Sequence, residues 1–266
     1  MFAALRGETK MVSKLISSVA TLDLQDKQGL TALMKATTND YYDITTMLIE
    51  SGRAGIDKQS KEEGYTALMI ATVNNNLNGP MKCPATVDAL LKAGANIALK
   101  STGTVDGGRT VLHWAALKGR KTILRALLEK ASLELVDTQD DLGRTAVMTA
   151  VEKNAHDSVE QLFEKGANII TMDRYGESAL SIACSYDNPQ LVGMIINEGI
   201  KRKQLLDLLV RLDWRKTFKA LYIYGQYSIG GFMTKLGIGA DITTENNKGT
   251  KLSRKGKDKE GKDRDL

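Results

Sequence analysis

Cysteine, proline and histidine are scarce in this 266-residue chain, and each scarcity excludes something. Two cysteines, Cys83 and Cys184, rule out a disulfide scaffold and a cysteine-ligated zinc site, and they fit a reducing, cytoplasmic compartment. Three prolines leave no proline-rich linker. Two histidines, His113 and His156, leave little for acid–base chemistry and fall too far apart in the repeat pattern to share a metal. No run of 18 apolar residues offers a membrane-spanning helix, and MFAALRGETK is no signal peptide. Phosphate-binding glycine motifs are missing too: GIGAD and TGTVDGG match neither a dinucleotide fingerprint nor a P-loop. No nucleophile, base and acid can be assembled, so no enzyme and no cofactor are expected. The net charge of +5 is uneven, because residues 248–266 carry eight basic and four acidic side chains. The rest of the chain is nearly neutral, which makes another protein, rather than nucleic acid, the expected partner.

What the chain has instead is repetition. GLTALMKA, GYTALMIA, GRTVLHWAA, GRTAVMTA and GESALSIA place a Thr or Ser at 31, 66, 110, 145 and 178. Their spacings are 35, 44, 35 and 33 residues, and periods of this size mark stacked repeat architectures. A small residue follows each cap at a fixed offset of 21, as at Gly52, Ala131, Gly166 and Gly199. In the second unit a seven-residue insertion delays it to Gly94. The Thr or Ser reads as an N-cap, its hydroxyl satisfying a free amide of the first turn. Segments such as ITTMLIE and TILRALLE have apolar residues at three- and four-residue spacing and predict a second helix. The small residue then closes that helix, and stretches such as IDKQSKEEG, LVDTQDDLG and IITMDRYG read as extended. Neither helix buries its stripe alone, so unit must stack on unit.

The pattern resembles the ankyrin-repeat family over about residues 1–225. VLHWAALKGRKTILRALLEK (111–130) is similar to its helix-turn-helix, and GANIITMDRYGESAL (166–180) to its hairpin finger. The resemblance implies an all-α solenoid of about six helix-turn-helix units joined by β-hairpin-like fingers. The family's proline at the first helical position is replaced here by Ala32, Ala67, Val111, Ala146 and Ala179. Its histidine survives only as His113, whose family role is structural; Met34, Met69, Met148 and Ser181 stand elsewhere. The TALM wording resembles ankyrin families of protists. Residues 1–28 read as a truncated N-terminal cap, followed by units 29–63, 64–107 with its insertions, 108–142, 143–175 and 176–203. Residues 204–247 read as a divergent C-terminal cap, completing a solenoid over 1–247, and 248–266 as a disordered lysine-rich tail too poor in apolar residues to order itself. Lys201, Arg202 and Lys203 open a basic amphipathic stretch, read as the cap's solvated face.

The bland reading covers most chemistry-bearing residues: His113 bonds backbone near a finger, His156 is solvated, Cys184 fills core, and Cys83 lies in the insertion loop spanning 74–86. The resemblance places binding on a strip of finger tips and first-helix ends. Tyr65, Asp106, Arg109, Trp114, Lys118, Arg144, Lys153, Arg174, Tyr175 and Tyr186 are its candidate protein-binding residues, with Tyr65, Arg109, Trp114, Arg144, Tyr175 and Tyr186 as hot spots. Trp114 is expected to be partly buried in the groove. The expected function is a non-catalytic scaffold carrying one protein partner as a monomeric array. The alternatives are a regulatory segment of a larger enzyme, such as a kinase-linked array, or an electrostatic binder of acidic surfaces through the tail.

Overall fold

The repeated Thr or Ser starts helices as its chemistry requires. In the computed structural model Thr31, Thr66 and Thr145 accept the amides of Met34, Met69 and Met148 at 3.2, 3.2 and 3.4 Å, and Ser178 accepts that of Ser181 at 3.3 Å. The structure describes residues 1–18, 20–74, 83–104, 107–204 and Asp207, the side chain of Cys83 excepted. The chain separates into two units, Met1–Tyr227 and Ser228–Leu266, and all the described residues lie in the first. The C-terminal cap beyond Gln204 (Asp207 excepted), the lysine-rich tail, most of the 74–86 insertion and Asp106 lie outside them.

Thirteen helices occur among the described residues: α1 (Phe2–Arg6), α2 (Thr9–Ser17), α3 (Ala32–Thr38), α4 (Tyr42–Glu50), α5 (Ala67–Val73), α6 (Cys83–Lys92), α7 (Val111–Leu117), α8 (Lys121–Lys130), α9 (Leu133–Val136), α10 (Ala146–Glu152), α11 (His156–Glu164), α12 (Ala179–Ser185) and α13 (Pro189–Lys201). Six antiparallel pairs result, with α9 as an extra turn. The first helices α1, α3, α5, α7, α10 and α12 pack one on the next, and so do the second helices α2, α4, α6, α8, α11 and α13. This is an all-α solenoid in which each described layer packs on the next. Its core runs along the stack as one file per helix row, with Leu33, Leu68 and Leu112 in the first row and Leu48, Leu90, Leu127 and Leu162 in the second, all less than 2% exposed. Each such leucine contributes roughly 1.5–3 kcal/mol relative to exposure.

The link between the two helices of a pair needs left-handed backbone. Asp40, Gly119, Asn154 and Asp187 supply it with φ of 56, 60, 57 and 49°, each nine residues after its cap. Short polar side chains tolerate that region by bonding locally, which is why three of the four are Asp or Asn.

Two expectations need correction. LVDTQDDLG is not extended throughout: Ser132 accepts the Leu135 amide at 3.3 Å and caps α9, so Leu135 and Val136 are helical. Nor does Gly199 end its helix. It is buried inside α13, which runs on to Lys201 before Lys203 turns left-handed at φ 58°. The fingers are tight turns rather than strands. One isolated bridge, Met172 with Ser178, is the single β feature among the described residues.

Candidate functional site

Each finger is built on one acceptor side chain. Asp26 Oδ1 accepts the Gln28 and Leu30 amides at 3.0 and 2.9 Å. Asp140 Oδ1 accepts those of Leu142 and Arg144, both at 2.9 Å, and Asp173 Oδ1 those of Tyr175 and Glu177 at 2.8 and 2.9 Å. Where the finger is longer a serine does the work, Ser60 for the Tyr65 amide and Ser101 for that of Arg109. Adjacent fingers are then tied by main-chain bonds: Lys61 to Gln28, Thr102 to Glu63, Asp141 to Gly107 and Arg174 to Leu142, at 2.9–3.1 Å.

A ladder of side-chain amides reinforces this. Gln25 Nε2 donates to Gly29 O in its own finger and to Gln59 O in the next. Gln59 repeats the pattern with Gly64 O and Lys100 O, and Gln139 with Gly143 O and Met172 O. In the third finger Lys100 Nζ reaches Gln139 O at 2.7 Å instead. These residues were missed in reading the sequence. Their signal was there, as a Gln before the turn acceptor in LQDKQG, KQSKEEG and TQDDLG.

His113 crosses between two units. Its Nδ1 accepts the Thr110 amide at 3.2 Å and lies 2.9 Å from the Thr110 hydroxyl. Its Nε2 lies 2.9 Å from the Arg144 carbonyl, so the proton sits on Nε2. Burial lowers its pKa from 6.5 to about 4; the Arg144 carbonyl and Asp140 oppose that shift, while Arg109 and Lys100 add to it. His113 is therefore a neutral tie, as the bland reading has it. His156 is half-buried at the start of α11, with Nδ1 3.1 Å from Asn154 O. Cys184 is buried in α12.

Above this scaffold lie the candidate binding residues. Tyr65, Arg109 and Trp114 come together: the Tyr65 and Trp114 rings meet edge to face at 5.4 Å and 85°, and the Arg109 guanidinium lies 5.3 Å from the Trp114 ring centre. Trp114 is 3% exposed, deeper than the partial burial expected, and supports its two neighbours from beneath. Arg109 also reaches Asp140 Oδ2 at 3.5 Å, and Arg144 reaches Asp173 Oδ2 at 3.4 Å and Glu152 at 2.5 Å. In both cases one oxygen of the turn aspartate holds its finger and the other takes an arginine from the preceding finger. Lys118, Lys153 and Arg174 are exposed, as are Tyr175 at 70% and Tyr186 at 61%. Arg202, expected on a solvated basic face, instead donates to the Phe163 and Ala167 carbonyls at 2.8 and 2.6 Å, at the end of α11.

Among the described residues no three His, Cys, Asp or Glu side chains cluster so as to hold a metal ion, and no helix is long and apolar enough to cross a membrane. Known proteins share the sequence and the architecture. The chain is 30% identical over 116 residues to NF-kappa-B inhibitor zeta of Mus musculus, covering 43% of this chain and 16% of that protein. It is 34% identical over 116 residues to the NF-kappa-B p105 subunit of Gallus gallus, covering 42% and 11%. It thus spans a small part of the curated relatives it matches. One chain of the complex between a predatory endopeptidase of Bdellovibrio bacteriovorus and an immunity protein superposes with a TM-score of 0.62 at 26% identity, covering 73% of this chain and 95% of that one. The ankyrin repeat domain of Bcl-3, of the IkappaB family, superposes with a TM-score of 0.65 at 23% identity, covering 83% and 96% and showing the fold. None of these four supports a protist source. A sequence model described as ankyrin repeats in three copies matches residues 1–101, 78–173 and 133–205. With its capped first helices, stacked helix pairs and tied fingers, the chain belongs to the ankyrin-repeat family.

Proposed function

We propose that the chain is a non-catalytic scaffold that binds another protein along its finger tips and first-helix ends. The observation that carries this reading is a change along the finger row. The first and middle fingers commit Gln25, Gln59, Arg109, Asp140 and Arg144 to ties between neighbouring fingers, whereas the last described finger and the helix after it leave Arg174 exposed and Tyr175 and Tyr186 more than half exposed. Large apolar side chains standing out from a rigid, hydrogen-bonded support fit a pre-organised protein contact. The relatives support the class: two are named after their roles in the NF-kappa-B system, and one solved neighbour is part of an enzyme–immunity protein complex. In this reading Arg174, Tyr175 and Tyr186 touch the partner, with Lys118 and Lys153 at the border. Tyr65, Arg109 and Arg144 contribute their half-buried edges, and Trp114 props them. Mixed charge along the row suits a peptide or folded protein better than a phosphate backbone.

The test compares proteins co-purified from the native cell by the full chain and by its Arg174→Ala/Tyr175→Ala/Tyr186→Ala variant, quantified by mass spectrometry. Proteins enriched with the parent chain are expected to drop by about tenfold or more with the variant, a loss of about 1.4 kcal/mol. Equal enrichment by a variant that keeps its circular dichroism would remove the binding surface from this strip.

A further inference from the structure

The end of the stack formed by α1 and α2 differs from every other layer. Phe2 is 78% exposed, Met11 49% and Leu15 39%. Met11 and Leu15 are the third and seventh residues of α2. The third residues of α4, α8, α11 and α13 are Ile44, Ile123, Ser158 and Leu191, and the seventh are Leu48, Leu127, Leu162 and Ile195; none is more than 2% exposed. The two neighbours of α2 that its register provides, α1 and α4, are both in place. What those other second helices have and α2 lacks is a layer on the side away from α4. Its apolar face is thus the layer-to-layer interface of this molecule, continued one step further and left open among the described residues. A solenoid end facing water is ordinarily polar.

The border of that face is mainly basic. Lys10 and Lys14 are exposed one turn apart and, with Glu8, Thr9 and Met11, line a depression of about 370 Å³ beside α2. With Arg6, the exposed charges of this hairpin number three basic against Glu8 alone.

We propose that this end face is a second protein-docking surface, separate from the finger row, and that it takes an amphipathic α-helix with an apolar stripe and acidic flanks. A helix is the fitting element because the interface being continued is helix on helix, with ridges of residues three and four apart seated in grooves. The apolar stripe covers Phe2, Met11 and Leu15, and the acidic flank meets Lys10 and Lys14.

The probe is a synthetic lactam-bridged helix of about four turns, with leucines at three- and four-residue spacing and glutamates beside them, read by fluorescence anisotropy against the full chain. Saturable binding is expected. A lysine-flanked version of the same helix should bind about tenfold more weakly, and Met11→Glu/Leu15→Glu should weaken the glutamate version by about tenfold or more. Lys10→Glu/Lys14→Glu should reverse the preference between the two peptides, while Tyr186→Ala should change neither. All these positions are exposed, so the variants are expected to fold, and circular dichroism verifies it. Equal binding of the two peptides, or indifference to Met11→Glu/Leu15→Glu, would overturn the proposal. So would a dimer in sedimentation that Met11→Glu/Leu15→Glu dissociates, since a second copy would then be what covers the face.

Discussion

The middle fingers that carry Arg109 and Arg144 and the last described finger present opposite surfaces. In the middle, the residue after the finger glycine is Arg109 or Arg144, and it reaches forward to the turn aspartate of the next finger, Asp140 or Asp173. Those carboxylates are 2% and 0% exposed, so each arginine completes a buried, hydrogen-bonded pair instead of standing free. In the last finger the corresponding residue is Glu177, and the exposed side chains are Arg174 and Tyr175. Stacking thus pairs the arginine of a middle finger with the turn aspartate of the finger that follows. A side chain typical of hot spots marks a binding site only where the stack has not already used it.

Four experiments sharpen or break that contrast, beginning with the largest effect. Leu127→Ala, at a fully buried position in the second-helix row, should cost about 2–5 kcal/mol in urea unfolding. A loss below about 1 kcal/mol would mean the layers are not close-packed there. Next comes acid. His113 is held at a pKa of about 4, below the 6.5 of the unfolded chain. Below pH 6.5 the unfolded state takes up a proton that the folded state refuses. Stability is therefore full above that value and falls as the pH drops towards 4, by about 3 kcal/mol across the window. His113→Met, the residue three of the other units carry, should flatten this part of the pH dependence. An unchanged slope in that variant would place the titrating group elsewhere.

Asp140→Ala removes the acceptor of two amides and the carboxylate that Arg109 reaches, and should cost about 2–3 kcal/mol. Asp26→Ala should cost less. Its partner Lys35 lies 2.7 Å away, and that contact, with the Leu30 amide next, holds the Asp26 carboxyl below its ordinary pKa, but the site stays wetter. Equal losses at the two aspartates would erase the difference between an enclosed and a solvated finger. Smallest of all, Tyr175→Ala and Tyr186→Ala should leave stability within about 0.5 kcal/mol, because both rings stand in solvent. A larger loss would show that they pack, and would transfer them from the binding surface to the scaffold.

Much of this was readable from residues alone because an ankyrin layer is a local object. A cap, two short helices and a finger lie within about 35 residues, so the spacing of Thr31, Thr66, Thr110, Thr145 and Ser178 determined the order of the five layers they open. The cap chemistry and the buried leucines followed from residue type and position, and the structural role of His113 from the family resemblance. Tertiary structure decided what depended on contacts between layers. Whether Arg109 is free or paired, how deep Trp114 lies under Tyr65, and that Arg202 ties down the end of α11 each involve a partner 31 to 49 residues away. That Met11 and Leu15 stand open, while the same positions are sealed in α4, α8, α11 and α13, is a property of the stack and of no single repeat. Local pattern sets the fold because each layer repeats the same short-range bonds. Exposure is set by the neighbouring layer, and the pattern of one repeat carries no record of whether that neighbour is there.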